Sequence, residues 1–342
     1  CGGSLTQRIL SLRGADPDAG GPAISFPGGN PAAPTLLVAQ SPPPPALVGG
    51  SPSAQPAATL FVGVRAARFK AADVNGDGLP DLVVAENVQN RMTVFVNLGN
   101  AGAVTNFSAV PLTTSLGPID VEVEDVSGDG RNDILVAGSL LGDVSRFQAL
   151  VPGTLDRFVS FPVGPSPGGI LAVDLTPAIA GLELVVVNNG DSSLTVLGRD
   201  GAGGLRPLSP FPNQRDIPIE AQDKATLAPT PATGSVRFLA ASTVRNADFD
   251  LDGRQDVVVF TQSSTEGVAG AAILLNEGGV APIRTTTRIL LARSAGLGGA
   301  SIQVVGDSYP DVIFVEFLSA TSGAFNIFRG QVGTNFAQDV IV

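Results

Sequence analysis

A nine-residue acidic pattern that recurs along the chain constrains its fold more than any other feature. The first clear copy, DVNGDGLPD at residues 73–81, continues directly into the apolar run 82–85. Two further copies keep the same spacing, at residues 125–133 and 248–256, and each is also followed by an apolar run. Three copies with one spacing are very unlikely by chance, so the pattern predicts a repeated unit of loop and buried strand.

The oxygen-bearing positions of this pattern predict a site for a hard divalent cation. The first, third, fifth and ninth positions offer side-chain oxygens, the seventh offers its carbonyl, and glycines let the loop curl. We expect calcium, because Mg²⁺ demands tighter octahedral geometry and keeps its waters. The predicted ligands are Asp73, Asn75, Asp77, Leu79 and Asp81 in the first loop; Asp125, Ser127, Asp129, Arg131 and Asp133 in the second; and Asp248, Asp250, Asp252, Arg254 and Asp256 in the third.

The calcium is expected to be structural. Three or four carboxylates held within a few ångströms repel one another unless a cation neutralises them, so the metal-free loops should be looser.

Three degenerate copies keep the apolar run but lose ligands. Their ninth positions are Thr35, Glu183 and Asp311. The copy ending at Glu183 has one residue too many between its acids, and the copy ending at Asp311 has Val305 where an oxygen is needed. We expect these copies to fold without metal.

The spacing of the six copies predicts the architecture. The ninth positions lie about 50 residues apart, with one longer interval of 73 residues. A period of this length accommodates one unit of about four short strands, and 42 Gly and 27 Pro suit strands joined by turns. We therefore predict an all-β chain forming a six-bladed β-propeller, which protects its sheet edges by closure. Seven blades are the alternative, since the long interval could hold half a blade.

The predicted propeller spans residues 23–342 and carries two insertions. Residues 41–56 include four consecutive prolines, and residues 206–237 combine prolines with scattered charge. Residues 1–22 are expected to form an N-terminal tether, and the apolar run at 9–12 could add a closing strand.

Composition excludes several classes of function. The chain has no His, no Trp and a single Cys, so it can build neither a Ser-His-Asp triad nor a His-ligated zinc or haem site. The net charge of −11 argues against a nucleic-acid partner. No apolar run reaches the roughly 18 residues needed to cross a bilayer. The metal chemistry that remains uses oxygen ligands.

Few acids remain for catalysis, and we expect no enzyme. Nearly every clustered carboxylate belongs to one of the loops, and Glu122, Glu124 and Glu183 are expected at solvated or rim positions. A glycoside hydrolase or lyase with a carboxylate pair in a central channel is the enzymatic alternative. The phenylalanines expected in the core are Phe95, Phe260, Phe314 and Phe328.

The repeat, Asp-x-Asn/Ser/Asp-x-Asp-Gly-x-x-Asp followed by apolar residues, resembles the FG-GAP/VCBS family, which includes the propellers of integrin α-chains. The resemblance covers roughly residues 24–342. It implies calcium at the three intact loops and a propeller used for binding. Cys1, followed by Gly2, Gly3 and Ser4, resembles the start of a processed bacterial lipoprotein. That second resemblance implies an acylated Cys1 and attachment to the bacterial outer membrane.

Together these features predict a non-enzymatic, calcium-stabilised platform for protein-protein interaction. Its expected partners are other envelope or cell-surface proteins. The non-enzymatic alternative is an adhesin that recognises host, matrix or carbohydrate ligands.

Overall fold

A computed structural model describes residues 23–25, 60, 62–63, 66–101, 104–151, 153–156, 158–177, 181–201, 204–209, 216–221, 236–264, 270–283, 288–291, 296–302, 307–317, 323–331 and 335–341. The all-β prediction is confirmed, because the only helical segment in these ranges is a single 3-10 turn at Asn87–Gln89. Within them, no helix has the length and apolar character that crossing a membrane requires. Four features predicted from the sequence lie outside the described residues: Cys1, the tether 1–22, the copy ending at Thr35 and the insertion 41–56.

The first two large sheets follow one short N-terminal strand. That strand is β1 (Ala23–Ser25). Sheet 1 contains β2 (Ala66–Ala72), β3 (Asp81–Glu86), β4 (Arg91–Ala101) and β5 (Val104–Thr113). The next strands are β6 (Pro118–Glu124), β7 (Asp133–Gly138), β8 (Asp143–Phe147), β9 (Ala149–Val151), β10 (Thr154–Asp156) and β11 (Val159–Pro162). Sheet 2 has the order β6-β7-β8-β11, and β1, β10 and β9 form a small separate sheet.

Three further sheets follow in chain order. Sheet 3 contains β12 (Pro167–Val173), β13 (Glu183–Asn188), β14 (Ser193–Arg199), β15 (Leu205–Pro207) and β16 (Ile217–Pro218). Sheet 4 contains β17 (Glu220–Ala221), β18 (Val236–Ala247), β19 (Asp256–Ser264), β20 (Gly270–Leu274) and β21 (Arg288–Leu291). Sheet 5 contains β22 (Gly296–Ile302), β23 (Asp311–Phe317), β24 (Gly323–Gln331) and β25 (Asn335–Ile341).

Each large sheet repeats one plan. Its strands are antiparallel and pair with their neighbours in the chain, except that β11 replaces β9 and β10 in sheet 2, and β16 adds to β14 in sheet 3. The second principal strand always begins at the ninth position of a copy, at Asp81, Asp133, Glu183, Asp256 or Asp311. The described parts of the insertion 206–237 contribute short strands to sheets 3 and 4.

Apolar faces hold consecutive sheets together. Alternate residues of a strand point to opposite faces, so each sheet can pack on two neighbours. Four buried clusters lie between sheets 1 and 2, 2 and 3, 3 and 4, and 4 and 5. The four phenylalanines predicted in the core are all buried, and the rings of Phe260 and Phe314 stack between sheets 4 and 5 with centroids 6.4 Å apart.

The first and last sheets each present one face that no described sheet covers. Phe69 of sheet 1 is 72% exposed, although the residues at the matching position of sheets 2 to 4 are buried: Val121, Ile170 and Val244. At the other end of the series, Phe325 of sheet 5 is 54% exposed. The five sheets therefore stack in one direction and end in two apolar faces.

The first strands of the sheets lie side by side. Strand β2 contacts β6, β6 contacts β12, β12 contacts β18 and β18 contacts β22. The guanidinium of Arg68 on β2 also donates to the hydroxyl of Thr243 on β18, at 3.3 Å. Because this bond joins sheets 1 and 4 past the two sheets between them, the stack curves around its first strands.

Candidate metal centre

The three acidic loops occupy the same place in their sheets. Each joins a first strand to a second strand, β2 to β3, β6 to β7 and β18 to β19. The curl needs two residues with positive φ. Gly76 and Gly78 supply them in the first loop, and the third loop uses Leu251, with φ of 60°, and Gly253. A leucine at positive φ is strained, so the third loop holds its shape against a backbone cost.

The first aspartate of each loop organises the turn by accepting backbone N–H groups. Asp73 accepts from Gly76 at 2.7 Å, from Asp77 at 3.3 Å and from Gly78 at 2.8 Å. Corresponding bonds converge on Asp125 from Gly128, Asp129 and Gly130, and on Asp248 from Asp252 and Gly253. These bonds hold the loop around the carboxylate that is predicted to be the first ligand.

The ninth aspartate is buried and ties the loop to the sheet. In the first loop, Asp81 accepts from the N–H of Val74 at 3.0 Å and from the N–H of Asn97 at 2.7 Å. The same two connections occur at Asp133, to Ser127 and Ala149, and at Asp256, to Phe249 and Asn276. Burial raises the pKa of Asp81 to about 6 and that of Asp256 to about 6, and it also raises the pKa of Asp133.

The seventh residue closes the turn on the fifth. The N–H of Leu79 donates to Asp77 at 2.8 Å, and Arg131 and Arg254 donate in the same way to Asp129 and Asp252.

The third loop brings its acids closest together. Among the described residues, the carboxylates of Asp248, Asp250 and Asp256 are the one group of three acids whose ligand atoms lie within 4.8 Å of one another. Burial and then the charge of Asp252 raise the pKa of Asp250. Hard oxygen donors gathered at this separation suit calcium. In the other loops the third position is Asn75 or Ser127, whose oxygen adds no charge.

The two degenerate copies within the described residues keep the connection at the ninth position. Glu183, longer than aspartate by one methylene, accepts from the N–H groups of Leu175 at 2.8 Å and Thr176 at 3.1 Å. Asp311 accepts from the N–H of Gly330 at 3.0 Å. The expected solvated position of Glu183 is therefore wrong, because only 1% of this residue is exposed.

Glu122 was also expected in a solvated or rim position and is instead buried. Its carboxylate pairs with Lys70 of the neighbouring sheet, whose ammonium also lies 3.8 Å from Glu124. Burial first, and then the charge of Glu122, raise the pKa of Glu124, while Lys70 lowers it.

Hydrogen bonds between successive loops were missed from the sequence. The side chain of Asn132 in the second loop donates to the carbonyl of Asp73 in the first, at 3.0 Å. The side chain of Asn276, which follows the third loop, donates to the carbonyl of Leu175 at 2.9 Å. Asparagine just before the ninth position is the one sequence signal for the first bond, and it occurs once.

A polar position at the opposite ends of the sheets was also missed. Thr93, Ser145 and Thr195 are buried and stand at matching points of β4, β8 and β14. The hydroxyl of Ser145 accepts from Ser115 N–H and that of Thr195 from Gly164 N–H, both at 3.2 Å. The signal was a hydroxyl residue within an apolar strand, which propensity alone does not distinguish from a good strand former.

Comparison with known proteins supports the repeat directly. Residues 73–136 match the family model described as FG-GAP-like repeat, a range that contains the first two loops. The resemblance drawn from the sequence is therefore confirmed for that range. No curated protein matches the chain.

Several solved structures are similar to this chain at low identity. A lectin of Agrocybe aegerita that recognises non-reducing terminal N-acetylglucosamine is 17% identical, with a TM-score of 0.47 over 82% of this chain and 67% of the lectin. BBS1N in complex with ARL6DN is 10% identical, with a TM-score of 0.45 over 78% of this chain and 80% of that one. A functionally unknown protein from Desulfotomaculum acetoxidans is 11% identical, with a TM-score of 0.43 over 81% and 70%.

The ninth and fifth positions should differ in their importance for a metal-free fold. Asp81→Ala leaves two N–H groups without their acceptor, so we expect a loss of about 2–4 kcal/mol of unfolding free energy. Asp77→Ala removes an exposed carboxylate that accepts the N–H of Leu79, and because water can replace this acceptor it should cost about 1 kcal/mol or less. Urea unfolding in EGTA measures both variants. Equal losses would contradict the assignment of the ninth aspartate as the principal tie.

Proposed function

We propose that the chain is a calcium-stabilised β-propeller that serves as a non-enzymatic platform for binding other proteins. The observation that carries this proposal is the set of three complete acidic loops, two of them within an FG-GAP-like repeat. Each loop stands at the same end of its sheet, so the sheets form one repeated scaffold with metal sites along one edge.

Six blades are the blade count that best suits the packing. Each of the four interfaces between consecutive sheets contains at least nine buried apolar residues. The exposed Phe69 and Phe325 remain at the two ends of the series. A sixth sheet between these ends would bury both rings and close the ring of blades. The copy ending at Thr35 is our candidate for that blade, on its sequence alone.

Calcium is proposed at all three loops. The first position is preorganised by backbone bonds, and the third loop gathers three carboxylates. When bound, calcium would supply the positive charge that these carboxylates lack. The expected ligands are those named from the sequence, including the carbonyls of Leu79, Arg131 and Arg254.

Calcium should raise the stability of the protein. We expect about three bound ions and a melting temperature at least about 5 °C higher in calcium than in EGTA. Replacing the fifth-position acids together, by Asp77→Asn, Asp129→Asn and Asp252→Asn, should abolish most of the rise. Asp307→Asn, at the fifth position of a degenerate copy, is the matched control and should leave it unchanged. Calorimetry and isothermal titration give both quantities, and an identical melting temperature with and without calcium would refute the proposal.

The protein-binding surface is proposed at the edge opposite the metal loops. Consecutive antiparallel strands are joined at alternate ends, so the turns after β3, β5 and β7 share that edge. They expose Val88, Leu116, Leu140 and Leu141, and the N–H of Leu140 donates to the carbonyl of Leu116 at 3.2 Å. Contiguous exposed apolar side chains in a water-soluble domain mark an interaction site.

A non-enzymatic role accords with the pairing of acids along the first strands. Glu122 is neutralised by Lys70, and Asp120 accepts from the N–H of Ile170 at 3.2 Å. Paired and backbone-bonded carboxylates hold structure, whereas a hydrolase needs one acid free to give its proton and another free to act as base or nucleophile.

A stoichiometric partner should depend on the apolar turns. We expect the full chain, recovered from native membranes in calcium, to carry an envelope or surface protein in near-equal amount. Leu140→Ser with Leu141→Ser should reduce that recovery at least about tenfold, whereas Val280→Ser, a similarly exposed valine elsewhere, should not. Quantitative mass spectrometry measures the ratio. Recovery without any stoichiometric protein would favour an adhesin instead.

Attachment to the outer membrane through Cys1 is a separate proposal and rests on the sequence resemblance alone. Acyl chains on Cys1 would anchor the domain, since each buried CH₂ contributes about 0.8 kcal/mol. We expect the intact mass of the native protein to include acyl groups, and Cys1→Ser to release it from membranes. An unmodified thiol at Cys1 would rule the anchor out.

A further inference from the structure

The seventh residue of the second loop does more than offer its carbonyl. The guanidinium of Arg131 pairs with Asp129 at 2.5 Å through Nη2. Its Nε donates to the carbonyl of Ala149 at 3.1 Å. Ala149 is also the residue whose N–H donates to Asp133, the ninth position of the same loop. The arginine thus connects the fifth aspartate to the strand end that already holds the ninth.

The third loop repeats this arrangement atom for atom. Arg254 pairs with Asp252 through Nη2, and its Nε donates to the carbonyl of Asn276 at 2.8 Å. Asn276 in turn donates its N–H to Asp256. Two arginines with the same two contacts, in loops 123 residues apart, indicate a shared role rather than a chance surface pair.

The first loop lacks the arginine and provides a natural comparison. Its seventh residue is Leu79, whose side chain reaches the neighbourhood of Gly99. Asn97 is the equivalent of Ala149 and Asn276 in this loop, because its N–H donates to Asp81. The first and second loops each carry three carboxylates, so their charges differ by this one cation.

On the basis of the proposed calcium role, we propose that Arg131 and Arg254 are tethered counter-cations that hold their loops in the metal-ready shape when calcium is absent. Each neutralises the fifth aspartate and fixes it against the sheet. The first loop, with Leu79, has no such group and depends on calcium more than the second loop does.

The physical basis is tethering rather than charge alone. An exposed ion pair contributes little, because two long side chains lose freedom and water screens the charges. Here the Nε hydrogen bond already fixes the guanidinium, whose planar shape keeps its donors in place. The arginines are partly exposed, at 38% and 41%, so the expected effect is local to the loop and not a change in the global fold.

Hydrogen exchange of the loop amides tests the proposal. In EGTA, Arg131→Leu should speed exchange at Gly128 and Gly130 about five- to tenfold, since these amides are held by Asp125. Arg131→Lys keeps the charge and loses the Nε bond, so it should give an intermediate rate. In calcium all three proteins should exchange at the same slow rate.

The reverse substitution tests whether an added arginine protects the first loop. Leu79→Arg should slow exchange at Gly76 and Gly78 in EGTA by a similar factor. Unchanged exchange in EGTA for both Arg131→Leu and Leu79→Arg would overturn the proposal. If added calcium protects none of the loops, the calcium role fails, whereas the comparison in EGTA still decides the role of the arginines. Unaltered protection in β13 shows that each variant is folded.

Discussion

The buried carboxylate at the ninth position is the interaction on which the repeated architecture depends. One oxygen of Asp81 holds the start of its loop and the other holds Asn97 of β4, so a single side chain fixes a loop and a hairpin together. Its burial is unfavourable for a charge, which is why the pKa rises to about 6. Charge-assisted bonds to two N–H groups, each contributing roughly 1.5–3 kcal/mol, offset that cost.

This explains why two of the three degenerate copies keep a carboxylate at the ninth position although other ligands are lost. Glu183 and Asp311 are as buried as Asp81, and each still accepts backbone N–H groups. Glu183 stands where the intact copies have Asp and is longer by one methylene, and the loop before it also has one extra residue. The ninth position, interpreted from the sequence as a metal ligand, is therefore also a structural tie between a loop and its sheet.

The sequence predicted the repeat, the strand starts and the core phenylalanines because these follow from local spacing and alternation. The sequence did not predict which acids outside the loops are buried, since Glu122 is paired with Lys70 of another sheet and no local pattern indicates that contact. The bond between Arg68 and Thr243 joins residues 175 positions apart, and no local pattern encodes it. The roles of the Ser145 and Thr195 hydroxyls were missed for a similar reason, because the N–H groups that they accept from lie 30 and 31 residues earlier in the chain.

The two edges of the sheets carry different chemistry, and this division follows from the connectivity. Loops between first and second strands gather carboxylates, backbone N–H groups and, in two cases, an arginine. Turns at the other ends present uncharged apolar side chains such as Leu140 and Leu141. Each of the three acidic loops is hydrogen-bonded to its own sheet through its ninth aspartate, and the second loop is also bonded to the first through Asn132, so the acidic edge is built as part of the sheets.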